Sequence, residues 1–282
     1  KQYFVGSIML LALSAACVVG PPFVARAEGA SAPDQSNAKR QGDRPPPNPY
    51  RNAYYGDLHV HTTNSFDAYT FGTISTPADA YRYAQGEAIW HPSGYEIQLA
   101  RPLDFYAVTD HAMFLGLLRE AADTNSEFSK YELSEPMHDL NESVSGSLLS
   151  IIKRAGLFRP FARAVNEGLQ NGTVDKALVD SVSRTVWQST IQAADEAYQP
   201  GTFTTFAGYE YTSSVELYDR YLHRNVIFRG MEGLPEQLFS RLDSQDPEKL
   251  WDWMSELRAN GVDSLAIPHN SNISGSAAFA LA

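Results

Sequence analysis

The sequence predicts an α/β fold in which parallel strands bring ionisable side chains to one rim. Three observations predict it. First, strand-like segments end in His or Glu at four places: DLHVH at His61, LDFYAVTDH at His111, FTTFAGYE at Glu210 and SLAIPH at His269. Second, mostly apolar runs such as LDFYAV read as strands buried on both faces of a parallel sheet. Third, stretches of helical apolar period and helix-start signals lie between them, the alternation that marks βα units. The C-terminal ends of parallel barrel strands are where such folds build their sites.

In chain order, Lys1 to Ala27 carries an apolar core, IMLLALSAACVV, then PPFVARA. Ala25-Arg26-Ala27 offers the small-x-small pattern of signal-peptidase cleavage. The core is too short for a comfortable membrane span, so residues 1–27 read as a secretory signal and the mature chain as periplasmic or secreted, with no transmembrane span. A lipoprotein signal ending at Cys17 is the rival, disfavoured because Ser14 stands three residues before the cysteine and apolar sequence continues past it.

Removing residues 1–27 takes away Lys1 and Arg26 and no acid, so the net charge moves from −11 to −13. This argues against a nucleic-acid surface, whose footprint is basic, and mildly for attracting cations. Cys17, the sole cysteine, leaves with the signal. Any metal is then held by nitrogen and oxygen. Residues 28–52, rich in Pro, Gly, Asn and Ser without an apolar period, read as a disordered linker before a domain spanning 53–282. Lys1 rather than Met at the start, and GSAAFALA at the end with no completed element, predict a fragment at both ends.

The first unit of the fold starts with DLHVH. Alternation sends His59 and His61 to one face of a strand and Leu58 and Val60 to the other. HxH alone fits a solvated pair as well as a ligand pair, but Asp67 follows in a polar turn that can return a carboxylate over the same point. Two histidines and an acid open many non-thiolate metal sites. Thr76-Pro77-Ala78-Asp79 has the N-cap and first-turn proline of a helix start.

Residues 85–101 read as a β-hairpin turning at His91-Pro92-Ser93-Gly94. His91 is expected as a turn residue. Its functional alternative is a substrate contact from a hairpin folded over the site mouth. The strand to His111 follows. Residues 115–200 read as a helical insertion plus a barrel helix, with helical period in SLLSIIKRAGLFRPFARAV and in VDKALVDSVSRTVWQSTIQAADEAY. Arg154, Arg159 and Arg163 are expected on a solvated face, with an anion-binding cluster as the alternative; His138 is expected at the surface.

Glu210 ends the next strand. HRNVIFR alternates like a strand, with His223 at its beginning and Arg224 beside it. Asp246-Pro247-Glu248 starts a helix that ends near Gly261, and SLAIPH returns to a strand and His269. The chain has no repeat and no glycine-rich phosphate loop.

In this order, HxH, Asp, TDH, a strand-ending Glu, a later His and a PH resemble the PHP superfamily, named after polymerase and histidinol phosphatase domains. The longer text YYGDLHVHTTNSFDAYTFG, YAVTDHA, FAGYEYT, HRNVIF and PHNSN, spanning Tyr54 to Asn272, is most similar to the domain of unknown function 3604 (DUF3604) family within it. The resemblance implies a distorted TIM-like barrel of seven βα units, incomplete here at the C-terminus, with two or three metal ions at the strand ends. It implies that His59 and His61 bind a first ion, that Glu210 bridges it to a second held by His223 and His269, and that Asp67 and His111 belong to a third. Asp57 and Asp110 read as acids that orient imidazoles. The resemblance further implies a closing Asp-x-His on the last strand, and this chain stops before one.

Two or three divalent ions lower the pKa of a bridging water, which suits hydrolysis of a phosphoester by a bridging hydroxide. Zn, Mn and Fe all fit such ligands. The expected substrate is a small anionic ester, and Arg224 is the candidate for holding its oxyanion, with Asp110 beside the ligands. The alternatives are an amidohydrolase-like enzyme acting on C–N or lactone bonds, for which no strand-ending Lys is visible, and a secreted metal- or substrate-binding protein without catalysis.

Overall fold

A computed structural model of the chain describes residues 52–138, 140–141, 148–215 and 220–274. The chain divides into two units, Lys1–Asn52 and Ala53–Ala282, and every helix and strand among the described residues belongs to the second. The expected signal, its alternative at Cys17 and nearly all of the linker lie outside the described residues.

The architecture is mixed α/β. Strand β1 (Gly56–Asp57) leads through a polar loop to the short helix α1 (Phe66–Thr70) and to α2 (Pro77–Ala84). Helix α2 starts as its sequence demands: the Thr76 side chain accepts from Asp79 N–H, the Asp79 carboxylate accepts from Thr76 N–H, and Pro77 occupies the first turn. A hairpin of β2 (Ile89–Trp90) and β3 (Glu96–Ile97) precedes β4 (Phe105–Tyr106). After it come α3 (Leu117–Ala122), the long helices α4 (Leu148–Asn171) and α5 (Lys176–Ala197), and the strands β5 (Thr204–Thr205) and β6 (Gly208–Tyr211). A small hairpin, β7 (Ser214–Val215) with β8 (Arg220–Tyr221), leads into β9 (Arg224–Phe228). Helix α6 (Pro247–Ala259), capped by Asp246, and β10 (Ser264–Pro268) follow.

β1, β4 and β5 pair in parallel, Gly56 opposite Phe105 and Phe105 opposite Thr204. The ladder continues past the assigned strands. Thr109 N–H donates to Val60 O, Glu210 N–H to Asp110 O, and Ala112 N–H to Glu210 O, which joins His111 to Glu210 in a parallel bridge. β9 then pairs antiparallel with β6, and β10 antiparallel with β9. Hydrogen bonding among the described residues does not close these strands into a ring. The antiparallel course of β9 departs from the parallel βα units that the resemblance implies. The segment between β6 and β9 turns back through the β7–β8 hairpin and carries no helix among its described residues, whereas a parallel crossover usually runs through one.

Helices cover the outer face. Tyr81 and Ala84 of α2, Tyr106 and Val108 of the β4 segment, and Ala194 of α5 share one core. Trp187 of α5 packs with Tyr209, Phe228 and α6 Leu250 and Met254 in a second. The insertion makes a third, around Phe114, Leu118, Phe128, Phe161 and Val165. No helix among the described residues is long and apolar enough to cross a membrane.

Candidate metal centre

Glu210 is the hub. Its side chain is 1% exposed, and five of the seven histidines of the chain surround its carboxylate. His59 Nε2 and His61 Nε2 lie 3.1 and 2.8 Å from Oε2. His223 Nδ1, His269 Nε2 and His111 Nδ1 lie 2.6, 3.1 and 3.4 Å from Oε1.

Local folding explains the convergence. His59 and His61 share a face of the first strand segment, and their rings sit 5.0 Å apart. His111 and Glu210 face each other across the parallel bridge. His223 precedes β9, yet reaches the same rim because β9 runs the other way. His269 follows β10, which is reversed once more, and its N–H donates to His223 O.

The remaining polar groups hold the ligands in place. Asp67 accepts from His61 Nδ1 at 2.9 Å and lies 3.5 Å from His111 Nε2. Ser65 Oγ donates to Asp67 and accepts from His111 N–H. Thr212 Oγ1 meets His111 Nδ1 at 2.5 Å, and Asn225 Nδ2 donates across the rim to Leu58 O at 2.8 Å. Thr212 was not among the expected site residues, although alternation two positions beyond Glu210 gives it the same face.

Charge and burial are balanced sharply here. Burial alone would raise the Glu210 carboxyl, but the imidazoles of His223, His269, His59 and His61 hold it far below the carboxylate range. Asp67 is likewise held low, against its own burial, by His111 and His61. Burial disfavours a protonated His61, yet hydrogen bonds to Asp67 and Glu210 lift it to about 10. Burial lowers His111 and pushes Asp110 up to about 6.

Two donor groups can hold a metal ion: His59, Glu210 and His269, and His61, His111 and Glu210. The buried atoms fit a cation. Glu210 Oε1 and His269 Nε2 are buried 3.1 Å apart without a well-aligned hydrogen bond between them, and an ion held by both would satisfy their lone pairs. Asp67 enters neither group and sits as the partner of two ligand histidines.

Several expectations are corrected by the geometry. Arg224 points away from the centre: neighbours on a strand face opposite sides, so with His223 inward its guanidinium lies 4.7 Å over the ring of Trp251 on α6. Asp110 and Asp57 orient backbone rather than imidazoles. Asp110 accepts from Thr62 N–H and Thr62 Oγ1, and Asp57 from His59 N–H. His91 does sit in the hairpin turn, its N–H donating to Tyr95 O, but not over the mouth. Leu103 N–H donates to Ala84 O, and Asp104 pairs with Tyr55 before β1, so the hairpin lies at the opposite rim. The three arginines do not cluster. Arg154 is buried, Arg159 is exposed, and Arg163 pairs with Glu167. His138 is half-buried, with Nε2 near Ser129 O.

The family model described as "Protein of unknown function (DUF3604)" matches residues 48–282. No curated protein and no solved structure matches the chain.

Proposed function

Because the chain belongs to the DUF3604 family, whose function is unknown, its chemistry has to be argued from the site, and we propose that it is a metal-dependent hydrolase of small anionic phosphoesters. The observation that carries this reading is Glu210, a buried carboxylate shared by two three-donor groups. Divalent ions, with Zn, Mn and Fe all suited to imidazole and carboxylate donors, supply Lewis acidity toward a phosphoryl oxygen and lower the pKa of water.

The chain's own residues do the rest. Glu210 spans both groups and keeps them adjacent. Asp67 accepts a hydrogen bond from His61 Nδ1–H, which fixes the ring so that Nε2, beside the shared carboxylate, would be the metal-ligating nitrogen. Thr212 and Ser65 restrain His111. His59, at 45% side-chain exposure, forms the solvent edge of the group, where a substrate arrives.

The motif order shared with the PHP superfamily supports the same reading. With it the proposal carries a distorted seven-unit barrel and a third ion near Asp67 and His111. Export to the periplasm or beyond, after cleavage following Ala27, is part of the proposal.

The test is hydrolysis of chromogenic phosphomonoesters and phosphodiesters by the metal-loaded chain and its His59→Ala variant. Turnover lost in His59→Ala supports the assignment. Stoichiometric metal without ester turnover moves it to C–N or lactone hydrolysis, or to a binding protein.

A further inference from the structure

Helix α4 of the insertion reaches the centre through α1. Phe158 stacks on Phe66, with centroids 4.8 Å apart and planes 1° apart, and Phe66 stacks on His111 at 4.4 Å and 23°. One turn earlier on the same face of α4, Arg154 is buried. Its guanidinium donates to Tyr69 O at 3.0 Å and to Leu140 O, and lies 4.8 Å over the Tyr69 ring. Phe66 and Tyr69 flank Asp67 on α1.

That helix has five residues, and its N-cap Ser65 makes no side-chain capping bond. A single turn does not hold itself in water. The orientation of Asp67, and through Phe66 that of His111, therefore depends on what grips α1 from outside. His59 and His269 belong to strand ends, and their rings meet each other at 4.2 Å.

We propose that Phe158 and Arg154 are positioning residues through which the insertion sets the metal affinity of the His61–His111–Glu210 group, leaving the His59–Glu210–His269 group unaffected. The proposal rests on the metal-centre reading. It gives the insertion a function at the site: it holds one half of the centre in binding geometry.

The test is titration of the metal-free full chain with Mn²⁺, read by the free-ion electron paramagnetic resonance signal, which requires no activity. Phe158→Leu keeps an apolar side chain and loses the stack. Phe161→Leu is the control, since Phe161 is buried on the same helix but packs toward Phe128, with ring centroids 6.3 Å apart. The wild type is expected to show two classes of site. Phe158→Leu weakens one class about 10- to 100-fold, the range for losing a group that orients a ligand, and leaves the other unchanged. Phe161→Leu leaves both unchanged. Wild-type affinities in Phe158→Leu, or equal weakening of both classes in both variants, overturn the proposal while the metal centre stands. A folded wild type that binds no Mn²⁺ overturns the metal reading itself. Should Phe158→Leu not fold, Phe66→Leu breaks the same stack from its other side and is read in the same way.

Discussion

His223 Nδ1 lies 2.6 Å from Glu210 Oε1 because β9 runs antiparallel to β6, so that the start of one strand meets the end of the other. Reversal turns a residue before its strand into a partner of a residue at the end of its neighbour. The second reversal, β10 antiparallel to β9, brings His269 Nε2 to 3.1 Å from the same oxygen, and Glu210 is common to both donor groups.

Glu210→Gln therefore removes more than one ligand contact. Metal affinity is expected to fall by more than about 100-fold, beyond the loss from residues that only orient a ligand. His91→Ala, at the opposite rim, leaves it unchanged. Equilibrium dialysis of both variants checks the pair, and equal losses would sink the placement of the centre.

Metal uptake releases protons. In the metal-free chain His61 is raised from 6.5 to about 10, so it is charged at neutral pH and must lose a proton to become a donor. A raised folded pKa means that this ionic contribution to stability is complete below about 6.5 and fades as pH climbs toward about 10. Asp67 and Glu210 are depressed, so their contribution is present above the ordinary carboxylate range and fades in acid. The metal-free chain should thus lose stability between about 6.5 and about 10 while metal affinity rises. Thermal melts with and without chelator across that range, with calorimetry in buffers of differing ionisation enthalpy, measure both slopes. Affinity that falls with rising pH contradicts the account.

Arg224 carries a buried charge with no carboxylate partner among the described residues, and burial lowers its pKa. Arg224→Met gives up a cation–π contact of about 0.5–2 kcal/mol and removes the cost of burying a cation, so the melting temperature should hold or rise. KM for an anionic ester should not change. A large rise in KM would return Arg224 to the substrate.

Gly56 lies where β1 meets β4. A Cβ there would overlap the carbonyl and ring of Phe105, and the carbonyl cannot move without disturbing the parallel pair. Gly56→Ala is expected to destabilise the fold by about 1–3 kcal/mol, the usual cost of overpacking, in urea unfolding. An unchanged midpoint would mean that β1 does not approach β4 this closely.

The gathering of the candidate donor residues was legible because strand alternation and strand ends are properties of short sequence windows. His59 with His61, His111, Glu210 and His269 follow from them directly. The helices followed too, since Thr76, Asp246 and the long apolar periods of α4 and α5 act locally. The facing of Arg224 was also available, because inward His223 fixes its neighbour outward. What local reading missed depends on direction and distance. The reversal of β9, the hairpin at the far rim and the Phe158–Phe66–His111 stack arise from how segments distant in sequence pack together. Asp57 and Asp110 were read as partners of imidazoles because they adjoin ligands, whereas nearby backbone N–H groups compete for such carboxylates and take them here.

The most direct test of the central claim is the metal content of the purified full chain, measured by elemental mass spectrometry beside Glu210→Gln. The account predicts bound Zn, Mn or Fe at both donor groups of the wild type and its loss from the variant. A folded wild type free of metal, and unable to take any up on titration, would contradict it.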